Sequence, residues 1–134
     1  MHSPRILLIE SNYLAQSVMQ LVLESLGYDV DVAVSVETAM PLIEKKYQLI
    51  CLDLEIPGKL HGLEVAERVR LSDQVSDTPI VALTRHGSAE NISRCLSIGI
   101  NQVITKPLSV DSFRKLVTAH CARKLSIMKR KCVA

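Results

Sequence analysis

Residues 48–58 read QLICLDLEIPG: four apolar residues, Leu49-Ile50-Cys51-Leu52, run straight into Asp53, Leu54 and Glu55 and then into a Pro57-Gly58 turn. A short continuous apolar run closed by a turn reads as a strand buried on both faces, the kind found inside a parallel sheet. Asp53 then stands at the carboxyl end of that strand. An acid there is either an ordinary loop residue or part of a site, and the segments on both sides decide which.

Upstream, RILLI (5–9) is a first strand. A helical stretch follows from about Asn12, with Leu14, Val18, Leu21, Val22, Ser25 and Leu26 predicted on its apolar face and Gly27 as its stop. YDVDVAV (28–34) alternates with period two, as a strand with one wet face does. Ser35 caps a helix predicted to reach about Lys46, with Ala39, Leu42 and Ile43 inward.

Downstream, GLEVAERVRL (62–71) has helical spacing through Leu63, Ala66, Val69 and Arg70. TPIVAL (78–83) is a fourth strand, and Ser88 caps a helix ended by Gly99. NQVIT (101–105) is a short fifth strand, and Ser109 caps a last helix from about Val110 to Arg123 or beyond.

Strict alternation of strands and helices requires right-handed crossovers and a mostly parallel sheet covered on both faces. The first, third and fourth strands are continuously apolar and belong inside. The second alternates and the fifth is short and polar, so both belong at edges. The order 2-1-3-4-5 satisfies this: an α/β, doubly wound, five-stranded flavodoxin-like sheet.

A length of 134 residues suits one domain, taken as residues 1–124, with 125–134 as a basic C-terminal extension or the end of the last helix. One phenylalanine, three tyrosines and no tryptophan argue against stacking on bases or sugars. Cys51, Cys95, Cys121 and Cys132 form no CxxC pair, and His2, His61, His86 and His120 are scattered, so reduced cysteines are expected rather than disulfides or zinc. No apolar stretch approaches the roughly 20 residues that span a bilayer. The chain is expected to be soluble and cytoplasmic. A net charge of +2 makes nucleic acid an unlikely partner.

In open α/β sheets ligands sit beyond the carboxyl ends of the strands. Here those ends carry Glu10 and Ser11, Asp53 and Glu55, Thr84 and Arg85, and Thr105, Lys106 and Pro107. Asp53 with Pro57 four residues on, Thr84 after the fourth strand and Lys106-Pro107 after the fifth make the chain resemble a response-regulator receiver domain of two-component signalling, over nearly its whole length.

The resemblance implies that Asp53 is the phosphoacceptor, taking a phosphoryl group from a sensor histidine kinase or phosphotransfer protein in a phosphorelay. It implies that Lys106 and Thr84 bind the phosphoryl group and switch, that Pro107 follows a cis bond, and that Mg2+ is held by Glu10, Asp53 and the backbone carbonyl of Glu55. Such a chain is a phosphoacceptor and not an enzyme beyond autocatalytic transfer and dephosphorylation. Its output would pass through the fourth helix, fifth strand and fifth helix to a protein target, or through a homodimer.

The chain departs from the family pattern. Ser11 stands where a second acid is usual, which removes one negative charge and weakens the expected magnesium site. Arg85 follows Thr84 where a small residue is usual, and its guanidinium either points out to solvent or bridges Glu10 and Asp53 in place of metal. The Glu55 carboxylate either faces solvent as a loop residue that tunes dephosphorylation or partly replaces the missing acid. Val103 stands where an aromatic ring usually rotates. The turn PGKLHG is one residue longer than usual, with the insertion at Lys59 or its neighbour and His61 in an acid's place. These departures support an alternative, a degenerate receiver serving as a phosphorylation-independent interaction module. An unrelated aspartate-nucleophile hydrolase would need further acids at strand ends, and only Glu10 is available.

Overall fold

The computed structural model describes residues 4–56 and 62–132, with side chains through residue 121. Five strands, β1 (Arg5–Ile9), β2 (Asp29–Ala33), β3 (Leu49–Asp53), β4 (Ile80–Thr84) and β5 (Gln102–Thr105), form one parallel sheet in the order β2-β1-β3-β4-β5. The helices α1 (Tyr13–Ser25), α2 (Val36–Ala39), α3 (Gly62–Leu71), α4 (Ala89–Ile98) and α5 (Val110–Cys132) alternate with them. The sheet order and fold class are those read from the sequence. Among the described residues no helix is long and apolar enough to cross a membrane.

The pleat divides the core in two. Ile6, Leu8, Leu49, Cys51 and Val81 point to one face, where Val22, Leu23, Phe113, Val117 and Cys121 of α1 and α5 cover them. Leu7, Ile9, Ile50, Leu52, Ile80 and Ala82 point to the other, against Val36, Val65, Val69 and Cys95 of α2, α3 and α4. Each fully buried Leu or Ile contributes about 1.5–3 kcal/mol, so the central strands hold both layers. At the edges β2 and β5 remain only partly covered.

Two helices depart from the sequence expectation. On α1 the inward face is Met19, Val22, Leu23 and Leu26, whereas Leu14, Val18 and Leu21 are exposed and Ser25 faces solvent. Two apolar stripes coexist on this helix, and the sheet covers only one. The α2 helix ends at Ala39 rather than near Lys46. Pro41 has no N–H for the carbonyl of Glu37, and the chain continues in tighter turns, Leu42 N–H to Ala39 O and Lys45 N–H to Leu42 O. Ala39 and Ile43 are nonetheless buried, and Leu42 packs against them.

Helix ends follow their capping residues. The side chains of Asn12, Ser35 and Ser88 accept amides of the first turns of α1, α2 and α4, and Ser109 does the same for Ser112 N–H. Gly99 closes α4 at φ 111°, a left-handed conformation glycine adopts without a Cβ penalty. The Pro57-Gly58 turn, Lys59, His61 and the basic side chains beyond residue 121 lie outside the described residues.

Candidate functional site

The strand pleat explains which predicted residues meet. Glu10 continues the phase of Ile6 and Leu8, Asp53 that of Leu49 and Cys51, and Lys106 that of Ile104. All three therefore arrive at the α1/α5 side of the sheet's carboxyl edge. The parallel register sets β3 beside β1 and β4, with Asp53 opposite Leu83. Glu10 and Asp53 are 1% and 4% exposed, and the Lys106 ammonium lies 3.2 Å from Glu10 Oε2 and 3.1 Å from Asp53 Oδ2. The cation bridging the two acids is thus Lys106. Of the two readings of Arg85, solvent-facing or bridging, the structure matches the first: Arg85 is exposed and makes no ion pair among the described residues.

Each acid has further donors. The amide of Glu55 donates to Asp53 Oδ1 at 2.9 Å, and that of Asn12 to Glu10 Oε1 at 3.1 Å. Gln16 Nε2 donates to the Glu10 carbonyl at 2.6 Å, which ties the end of β1 to α1. Burial, and secondarily Asp53, push the Glu10 carboxyl above the usual carboxylate range against the pull of Asn12 N–H and Lys106. Burial pulls the Lys106 ammonium down, but the hydrogen bond and charge of Asp53, with Glu10, outweigh it and leave its pKa raised. The ammonium is therefore fully charged at neutral pH. The Lys106–Pro107 peptide is cis.

Thr84 follows the other pleat phase. It is buried and its hydroxyl accepts His86 N–H at 3.0 Å, beside a cleft lined by Leu54, Glu55, Leu63, His86, Asn91 and Arg94. Val103 is half-buried against the α3/α4 layer, on the same phase as Thr105. The Glu55 side chain is exposed, and its carboxylate does not turn to Glu10: its Oε1 accepts the Arg85 amide at 2.7 Å. That removes it as a replacement for the missing acid in this conformation.

A divalent cation would find two buried carboxylates already gathered around one positive charge. Ser11 is exposed and adds no charge, and among the described residues no group of three His, Cys, Asp or Glu side chains converges to hold a metal ion. The residues fit a cation held by Glu10 and Asp53, with neutral donors completing it.

Sequence reasoning missed Asn12 and Gln16 as supports of Glu10, and Asn91, whose Nδ2 donates to the His86 carbonyl and closes the β4–α4 loop. Asn12 was legible only as the approximate start of the first helix. It also missed a groove of about 350 Å³ that opens from Glu10 and Lys106 between α1 and the start of α5. Exposed Leu14, Val18 and Val110 line it, with Arg85 at its rim.

Sheet order, strand-end acids and lysine define a receiver, and the comparisons agree. Residues 6–118 match the family model of the response regulator receiver domain, and the chain belongs to that family. It is 35% identical over 120 residues to the uncharacterized transcriptional regulatory protein YkoG of Bacillus subtilis, which covers 89% of this chain and 51% of that protein. It is 29% identical over 127 residues to the osmosensing histidine protein kinase SLN1 of Saccharomyces cerevisiae, covering 90% of this chain and 10% of the kinase. The chain thus spans about half or less of these relatives.

Among solved structures, the receiver domain of Francisella response regulator 1452 superposes with a TM-score of 0.80 at 27% identity, covering 90% of this chain and 98% of that one. The receiver domain of the sensor histidine kinase PA1611 of Pseudomonas aeruginosa gives a TM-score of 0.79 at 27% identity, covering 90% and 99%, and that structure has a magnesium ion coordinated in its active-site cleft.

Proposed function

We propose that the chain is a working phosphoacceptor, in which Asp53 takes a phosphoryl group from a phosphohistidine on a sensor kinase or phosphotransfer protein. The observation that carries this reading is the buried Asp53 carboxylate with the Lys106 ammonium 3.1 Å from its Oδ2. In the transfer an Asp53 oxygen bonds to phosphorus as the bond from phosphorus to the imidazole nitrogen breaks. The electron pair leaves on that nitrogen, which takes up a proton, and an acyl phosphate remains on Asp53.

Lys106 balances the growing oxygen charge as a point cation already in place. Thr84, whose hydroxyl holds His86 N–H in the unmodified protein, would turn that hydroxyl to a phosphoryl oxygen. Magnesium, when bound to Glu10, Asp53 and the Glu55 carbonyl, would supply further neutralisation of the phosphoryl oxygens. Hydrolysis of the acyl phosphate resets the chain, so it acts as a phosphoacceptor and turns over no other substrate. We place it in the cytoplasm, where such donors act.

The groove beside Lys106 is our candidate seat for the donor protein. It is apolar, continuous with the site, and flanked by Leu14 and Val18 of α1, which are exposed among the described residues. Output would leave by another surface, that of α4, β5 and α5, where Leu96 is exposed.

Ser11 favours the second reading, a phosphorylation-independent interaction module, because it removes a charge from the cation site. Incubation with acetyl phosphate and magnesium, followed by intact mass, separates the two. A single phosphoryl adduct on the wild type that is absent from Asp53→Asn is expected. A folded protein that takes no adduct from acetyl phosphate or from a phosphohistidine donor would sink the first reading.

A further inference from the structure

Glu55 links the ends of two neighbouring strands, β3 and β4, through side-chain as well as backbone groups. Its amide donates to Asp53 Oδ1, while its carboxylate accepts the Arg85 amide at the end of β4. The other tethers of the loop from Arg85 to Ser88 are His86 N–H on Thr84 Oγ1, Asn91 Nδ2 on the His86 carbonyl, and Ser88, which caps α4 by accepting Asn91 N–H and Ile92 N–H. Gly87 packs against Thr105, where an added Cβ would lie 2.3 Å from its Oγ1, so β5 limits where the loop can go. The first two amides of this loop are therefore held by Glu55, which abuts Asp53, and by Thr84.

A phosphoryl group on Asp53 would bring roughly −1.5 to −2 charge and three acceptor oxygens into this corner. Lys106 is anchored on the far side, by Glu10 as well as Asp53. Glu55 is the anion free to leave, since its side chain is exposed. Its hydrogen bond to Arg85 N–H is charge-assisted, and the amide would keep such a bond by exchanging one anion for another.

We propose that Glu55 is a positioning residue that acts as a placeholder anion: its carboxylate occupies the Arg85 amide in the unmodified protein, and a phosphoryl group on Asp53 displaces it and re-anchors the β4–α4 loop. The exchange transmits modification to α4 without a rotating aromatic ring, which Val103 does not provide. This inference rests on the phosphoacceptor reading.

The test loads 15N-labelled wild type, Glu55→Gln and Glu55→Ala with beryllium fluoride and magnesium chloride, and follows the Arg85 amide by NMR. Before loading, its resonance differs between wild type and Glu55→Ala. After loading, the two coincide, because the carboxylate has left. Glu55→Ala binds beryllium fluoride about tenfold more tightly, the worth of one charge-assisted hydrogen bond no longer broken, and Glu55→Gln falls between.

Arg85 resonances that stay apart after loading, or a Glu55→Ala affinity equal to or weaker than wild type, would overturn the exchange alone. Failure of every protein to load would overturn the phosphoacceptor reading and this inference with it.

Discussion

At the residue scale Lys106 stands at a strand end with two acids as partners, a pairing that depends on the fold. It holds Asp53 and Glu10 together, so removing it leaves two buried carboxylates without their cation. Losing one partner of a buried pair costs about 3–5 kcal/mol, and partial exposure of the ammonium reduces this. Lys106→Met is expected to lose about 2–3 kcal/mol in urea unfolding. The loss should shrink by about 1 kcal/mol in a Glu10→Gln background, where only one buried carboxylate remains to be stranded. Equal losses in both backgrounds would show that the acids do not share the lysine. Cys51 gives a prediction with a pH sign. Burial pushes its thiol from 9.0 up to about 12, with nearby Cys121 a lesser contributor. Below pH 9 both folded and unfolded chains keep the proton and the group contributes no difference. Between pH 9 and 12 the unfolded chain ionises first, so stability falls by up to about 4 kcal/mol across that window. Cys51→Ala, though less stable at neutral pH, should lose less as pH rises, which a series of urea midpoints reads directly.

At the scale of elements, the sequence was clear wherever one pattern had one interpretation. The all-apolar runs of β1, β3 and β4 named the interior strands, and the polar residue ending each run named the site. It was ambiguous where two patterns shared a helix: α1 carries apolar residues at 14, 18 and 21 and also at 19, 22, 23 and 26. Only the position of α5 beside α1 decides which stripe is covered. The partner of Glu55 was likewise illegible, because Arg85 is 30 residues away in the chain. Arg70 is a third case, legible as an inward position of α3 but not as a clamp. Its guanidinium donates to the carbonyls of Gly99, Ser76 and Thr78 and to Asn101 Oδ1, at 2.7–3.0 Å. The same Asn101 oxygen accepts Ile80 N–H, so one side chain fastens α3 to the entries of β4 and β5. Arg70→Met would leave three carbonyls short of a donor and is expected to cost about 2–4 kcal/mol. Because this clamp lies at the opposite edge of the sheet from Asp53, beryllium fluoride binding should be unchanged in the folded variant. A matched loss of binding would mean that the two edges are coupled.

For the whole molecule, the two apolar layers divide the labour of the site. The α1/α5 layer delivers Glu10, Asp53 and Lys106, the two acids and the cation between them. The α3/α4 layer delivers Thr84 and the loop that would respond to it. The groove next to Lys106 belongs to the first layer, and among the described residues Leu14 at its side and Leu21 on the same helix are exposed. Leu14 and Leu21 are 73% and 67% exposed, so a charge at either position removes little buried area and should alter stability by about 0.5 kcal/mol or less. If a donor protein seats on this face, Leu14→Asp places an unpaired charge in the contact, and transfer from a phosphohistidine protein should slow by about tenfold or more. Acetyl phosphate needs no such contact, so its labelling rate should match wild type. Leu96→Asp, on the exposed side of α4, serves as the control and should leave both rates unchanged. Equal slowing by the two substitutions would point to a general effect of surface charge, and no slowing by Leu14→Asp would move the donor's seat away from α1.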